Sequence, residues 1–293
     1  MQDLLATAER GHLDVDGCAI AWARWEGGEP TTPGPPIVLV HGAGAHLGWW
    51  DAVIRPLHDQ GHHVVALELS GHGGSGHRDA YDARTWAHEV LSVIGKVAGA
   101  PALLVGHSLG GRVAICAAAA DPTLVPRLVL VDAPVRRPAV RHPGGPRPGG
   151  PTSRPLPRRT HATLDQAVHS FRLRPREPVA DTALLHRIAA AAFKEQTDGW
   201  SLRADLSVFG RIPDEVLAAA LNAYAGPITL IYGTRSSVVD QPGREFLVEA
   251  HAGPTELVAI AGYHHLTLDQ GGEVAKVITA RQARLTTPPH ETD

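Results

Sequence analysis

Apolar residues along this chain fall into short continuous runs separated by stretches of helical spacing. Ile37–Val40, His63–Leu69, Ala102–Val105 and Leu128–Val131 are runs of strand length, mostly without the polar alternation of a half-exposed sheet. Such runs are expected of parallel strands covered on both faces. Between them lie helical patterns at about Trp49–Gln60, at 83–98, where Trp86, Val90, Val93, Ile94 and Val97 share a face, and at the alanine-rich Gly110–Ala120. Ahead of them, His12–Asp16 and Cys18–Trp25 read as an antiparallel hairpin turning at Asp16-Gly17. Later, Ile228–Tyr232 and Glu256–Ile260 resume the strand pattern, and a final helix is expected over about 272–285. The alternation predicts an α/β fold, with a mostly parallel eight-stranded sheet and helices on both faces.

The pattern breaks after Asp132. Residues 136–159 hold seven prolines, seven arginines and four glycines with no acid, a composition that cannot bury a core and reads as a loop. From 163 to 222 helical patterns return, with Phe171, Leu173, Leu184, Phe193, Trp200 and Phe209 as bulky positions. The expected organisation is a core of 1–134 and 223–293 with a helical cap insertion over 135–222.

Composition narrows the function. A net charge of −3 gives no basic footprint for nucleic acid. No apolar run reaches the roughly 20 residues of a membrane helix, and the first residues carry no secretory pattern. The two cysteines, Cys18 and Cys116, sit in apolar stretches and read as buried thiols of a cytoplasmic protein. No histidine spacing or cysteine cluster suggests a metal, and no cofactor is implied. The expected partner is a small-molecule substrate, on a monomer or homodimer.

Gly106-His107-Ser108-Leu109-Gly110 follows an apolar strand and opens a helix. G-x-S-x-G in that context is a strained turn that projects its serine as a nucleophile. Acyl transfer also needs two N–H groups aimed at the developing oxyanion. Leu109, at the helix N-terminus, supplies one, and Ala43, in the small-residue loop His41-Gly42-Ala43-Gly44-Ala45, is the expected second. His41 reads as a structural histidine pinning that loop. The base is expected in the loop after the last strand, Ala261-Gly262-Tyr263-His264-His265-Leu266, with His264 preferred over its neighbour His265. His62, His63, His72, His77 and His107 read as loop or surface residues. Gly42, Trp50, Phe171, Trp200, Phe209 and Tyr263 are the expected substrate contacts, suited to a hydrophobic acyl or aryl group.

These landmarks, with Leu69-Ser70-Gly71-His72-Gly73-Gly74-Ser75 and His264-His265-Leu266-Thr267-Leu268-Asp269-Gln270, resemble the α/β-hydrolase superfamily over nearly the whole chain. The resemblance is nearest to bacterial hydrolases whose oxyanion loop ends in two tryptophans, and it implies a cap over the site. It also implies an acid after Ile228–Tyr232, where this chain has Ser236 or Ser237 instead. Asp132, at the end of the sixth strand, is the preferred substitute, since some superfamily members place their acid there; Asp240 is the alternative. The expected activity is hydrolysis of a carboxylic ester or lactone through an acyl-enzyme. A thioesterase, a C–C bond hydrolase and a non-catalytic ligand-binding protein of the same fold stand as alternatives.

Overall fold

The computed structural model describes residues 4–28, 34–139, 159–208 and 212–283. β1 (Glu9–Val15) and β2 (Cys18–Trp25) form the expected hairpin. β3 (Ile37–Val40), β4 (Val64–Leu67), β5 (Leu103–His107) and β6 (Arg127–Val131) follow. β7 (Thr160–His161), β8 (Phe193–Gln196) and β9 (Gly199–Leu202) come next, then β10 (Ile228–Gly233) and β11 (Thr255–Ile260). The large sheet has eight strands in the order β1-β2-β4-β3-β5-β6-β10-β11. β2 runs antiparallel to β1 and β4, and the remaining pairs are parallel.

The apolar runs behave as their composition dictates. All four residues of β3 are buried, and alternate ones face opposite layers. Val38 and Val40 pack with Trp86, Val90 and Val113 on one face. Ile37 and Leu39 pack with Ile54, Val274 and Ile278 on the other. β4 lies on one side of β3 and β5 on the other. The chain therefore reverses its winding at β3, and the loops leaving β3 and β5 part there to form the crevice in which such sheets bind ligands. Cys18 and Cys116 are both buried and unpaired. Among the described residues, no helix is long and apolar enough to cross a membrane.

The insertion differs from its helical expectation. It contains helices Leu164–Ser170 and Thr182–Ala191, but β7, β9 and β8 form a separate three-stranded antiparallel sheet. The β8–β9 hairpin turns at Thr197-Asp198, and Gly199, the first residue of β9, has a φ of +117° that a side chain rarely tolerates. A two-residue turn, Thr197-Asp198, lets the chain pair with itself locally, which outweighs weak helical spacing over so few residues. The core also resumes earlier than residue 223. Leu217 and Leu221 of helix Asp214–Ala223 are fully buried in the main core, and Asp214 takes a 2.8 Å ion pair from Arg112 of helix Leu109–Ala120. Residues 140–158, most of the proline- and arginine-rich stretch, lie outside the described residues.

Candidate active site

β5 ends at His107, and Ser108 turns the chain into helix Leu109–Ala120 with φ 52° and ψ −116°. That conformation is costly for a residue with a Cβ and persists only where its surroundings enforce it. Two constraints are visible. Ser108 N donates to Val131 O at 3.0 Å, tying the turn to β6. A Cβ on Gly110 would stand 2.3 Å from Val40 O, so only glycine lets the helix start this close to β3. Ser108 is left half-buried at the tip of the turn.

The structure brings Ser108, His264 and Asp132 into one chain of hydrogen bonds. His264 Nε2 lies 3.1 Å from Ser108 Oγ, and His264 Nδ1 lies 2.7 Å from Asp132 Oδ2. Asp132, at the end of β6, also holds a positive φ of 45°. Its Oδ1 accepts from Gly233 N at 2.8 Å, and its Oδ2 accepts from Ser236 Oγ at 2.6 Å. Ser236, standing where the resemblance implies an acid, therefore serves as a donor to the acid on the neighbouring strand. Asp240 instead caps helix Gln241–Ala250, accepting from Gly243 N at 2.9 Å. His265 turns away and donates from Nε2 to Pro175 O at 3.1 Å.

Burial decides the charge states. It holds His264 below its ordinary value, which keeps the ring neutral and able to accept a proton. It raises the Asp132 carboxyl to about 6, against the opposing pull of the Ser236 hydroxyl and the Gly233 amide. Asp132 is then mostly ionised at pH 7 and protonates as pH falls through 6. We expect Ser236→Ala to move the acid limb of the kcat/KM–pH profile upward by about one unit while leaving the rate above pH 8 nearly unchanged. A profile that superposes on the wild type would refute the coupling.

The loop after β3 lies against the elbow. A Cβ on Gly42 would meet His107 Nδ1 at 2.9 Å and Ser108 Cβ at 3.2 Å. Gly42 is thus brought against Ser108, and Ala43 follows it, half-buried. Leu109 opens the helix, where first-turn N–H groups have no intrahelical acceptor. His41 pins the loop as expected: its Nδ1 donates to Gly42 O at 2.7 Å and its Nε2 accepts from Leu69 N at 3.2 Å. Burial pulls its pKa down to about 3, so the ring stays neutral. Sequence reasoning missed Glu68, which accepts from Leu47 N at 3.0 Å and Gly74 N at 2.6 Å, joining this loop to the next. A lone carboxylate in the apolar run Val64–Leu69 was the available signal. It also placed His107 too far out. That ring is 2% exposed and donates from Nε2 to His264 O at 3.1 Å.

The expected substrate walls divide. Trp50 is fully buried in the core, edge-on to His107 with ring centroids 6.5 Å apart. The 3₁₀ turn Leu47–Trp50 points consecutive residues well apart. Trp49, not Trp50, therefore meets the insertion, packing with Leu173, Leu184 and Ile188. We expect Trp50→Ala to destabilise the fold by about 3–5 kcal/mol in a urea titration; a near-neutral result would contradict this placement. Trp200 packs on the insertion's own cluster with Ala167 and Phe193, and Phe171 touches that cluster and the one containing Trp49. Tyr263 is half-buried beside His264, under the Arg235 guanidinium at 4.3 Å. Phe209 lies outside the described residues. The described residues include one set with metal-ligand proximity, His107, His264 and His265, whose ring nitrogens lie within 4.8 Å. Both His264 nitrogens and His107 Nε2 are engaged in the hydrogen bonds above.

Comparison with known proteins bears on this geometry. A model of the Alpha/beta hydrolase family matches residues 37–277. The chain is 37% identical over 120 residues to Esterase Rv0045c of Mycobacterium tuberculosis, covering 40% of this chain and 38% of that protein. It is 34% identical over 103 residues to the sn-1-specific diacylglycerol lipase ABHD11 of Xenopus tropicalis, covering 35% and 32%. These alignments span about a third of the relatives' own length. Among solved structures, a thioesterase domain from the curacin biosynthetic pathway superposes with TM-score 0.77 at 22% identity, over 93% of this chain and 99% of that one, a likeness of fold. The mycobacterial esterase superposes with TM-score 0.69 at 25% identity, over 96% and 92%.

Proposed function

The chain belongs to the alpha/beta hydrolase family, and from that premise we propose that it is a serine hydrolase cleaving a carboxylic ester or lactone of a small hydrophobic molecule. The observation that carries this reading is the unbroken path from Ser108 Oγ to His264, 3.1 Å, and from His264 to Asp132, 2.7 Å, at a strained strand-to-helix turn.

In this reading Ser108 Oγ attacks the acyl carbonyl as His264 Nε2 takes its proton. The Leu109 and Ala43 amides hold the oxyanion. The tetrahedral intermediate expels the alcohol, which leaves with the proton from His264, and an acyl-serine remains. Water then gives a proton to His264 Nε2 and attacks the acyl carbon. Collapse returns that proton to Ser108 Oγ and releases the carboxylic acid. Asp132 fixes the His264 tautomer and stabilises the imidazolium in both halves. The segment 160–208 acts as the cap, with Phe171 and Tyr263 beside the acyl group.

The test is fluorophosphonate labelling of the intact chain, followed by a panel of p-nitrophenyl esters, matched thioesters and 1,3-diketones. Labelling with ester turnover exceeding thioester turnover is the expected result. Preference for thioesters or diketones would retain the triad and replace the substrate class. Absence of labelling would leave a ligand-binding member of the fold.

A further inference from the structure

The His264 peptide is gripped on both sides by side chains that the reaction above does not use. Its C=O accepts from His107 Nε2 at 3.1 Å, and its N–H donates to Glu177 Oε2 at 2.8 Å. The same carboxylate also takes the N–H of His265. Glu177 belongs to the irregular segment between helices Leu164–Ser170 and Thr182–Ala191 of the insertion, yet its side chain is only 7% exposed. Two further bonds tie this segment to the same turn. His265 Nε2 donates to Pro175 O at 3.1 Å, and Ala180 N donates to Asp269 Oδ1 at 2.9 Å.

We propose, on the serine hydrolase reading, that Glu177 is a positioning residue for the base, so that the insertion itself sets the geometry of the Ser108–His264 contact. The turn from β11 to the short helix Leu266–Asp269 leaves the amides of His264 and His265 without partners in either element. A buried amide left without an acceptor costs about 1–3 kcal/mol, enough to favour a different turn. The Glu177 carboxylate supplies both acceptors from 87 residues away in sequence. It fixes the backbone that carries His264 while Asp132 fixes only the ring. Burial pushes the Glu177 carboxyl upward and the two amides pull it back, as expected of a carboxylate held for its hydrogen bonds.

The test reads the second-order rate of fluorophosphonate labelling. That rate depends on the Ser108–His264 contact and draws little on a bound acyl chain. Glu177→Ala is expected to label about tenfold more slowly, since displacing a reacting group by about 1 Å can cost up to 10²-fold. Its kcat on a short ester should fall with KM nearly unchanged. Glu177→Gln, whose amide oxygen keeps the reach and can still accept, should recover to within about threefold of wild type. Glu177→Asp keeps the charge, falls short by a methylene and should label more slowly than the glutamine variant. Alanine labelling at the wild-type rate, a loss confined to KM, or aspartate outpacing glutamine would each overturn the proposal. If the alanine variant does not fold, the glutamine–aspartate order decides alone. A wild-type chain silent to the probe would sink the hydrolase reading together with this one. A wild type that labels, with variants that match it, would sink this one only.

Discussion

Ser108→Ala is expected to abolish fluorophosphonate labelling and to lower kcat on a p-nitrophenyl ester by roughly 10⁵- to 10⁶-fold. In the proposed reaction the serine oxygen forms the acyl bond, and no other hydroxyl among the described contacts lies on His264 Nε2. The Leu109 and Ala43 amides and the binding surface would remain, so activity slightly above the uncatalysed rate should persist. Stability should barely move. The variant forfeits one hydrogen bond, worth about 1 kcal/mol, or some 2–3 °C in a chain of this size. The strain stays, because alanine also carries a Cβ at φ 52°. Ser108→Gly separates the two quantities. It is equally inactive, yet it should melt a few degrees higher than the alanine variant, because glycine occupies this region of backbone space freely. Persistent labelling of the alanine variant would end the assignment of Ser108. A glycine variant that melts lower would show that the turn carries no strain.

The geometry of the candidate site was legible in the sequence where the proposed chemistry demands a residue type at a fixed place on the sheet. The Ser108 turn could be read because Gly106 and Gly110 bracket it between an apolar strand and a helix. His264 could be read because its loop follows the last strand. Asp132 was harder, since a carboxylate at a strand end is common; what the sequence lacked was the sight of Ser236 donating to it at 2.6 Å. Contacts between distant segments that the proposed chemistry does not demand left no trace. Glu177 and His264 are 87 positions apart, and nothing local marks either as the other's partner. The two tryptophans show the limit of pattern reading over a single turn. Residues 49 and 50 are equally apolar, and only the 3₁₀ geometry of Leu47–Trp50 determines which one faces the sheet. The insertion misled for a related reason. Its strands are two to four residues long, too short for period-two alternation to outweigh the helical spacing of their neighbours.

The acid assignment makes the second large prediction, a contrast between two aspartates. Asp132→Asn is expected to lower kcat by about 10⁴-fold, and Asp240→Asn to leave it within about twofold. The argument rests on what each carboxylate touches. Asp132 Oδ2 sits 2.7 Å from His264 Nδ1 and accepts its proton's hydrogen bond. In the asparagine variant Oδ1 can still accept from Gly233 N, which turns the NH₂ toward His264. A donor there forces the neutral ring to carry its proton on Nε2, the nitrogen that must take the Ser108 proton. Asp240 lies at the start of helix Gln241–Ala250, and in the described contacts its carboxylate accepts only from Gly243 N. Asparagine caps helices nearly as well as aspartate, so that variant should be close to neutral in stability too. A pH series adds an independent check on Asp132. Its folded pKa, about 6, lies above its ordinary value, so the native state holds that proton more tightly than the unfolded chain. This contribution to stability is full below about pH 4 and is lost as pH rises through 6. The urea-unfolding free energy of Asp132→Asn, which has no such proton, should therefore gain on wild type between pH 4 and pH 7. Equal slopes for the two proteins, or a larger kinetic loss in Asp240→Asn, would move the acid elsewhere.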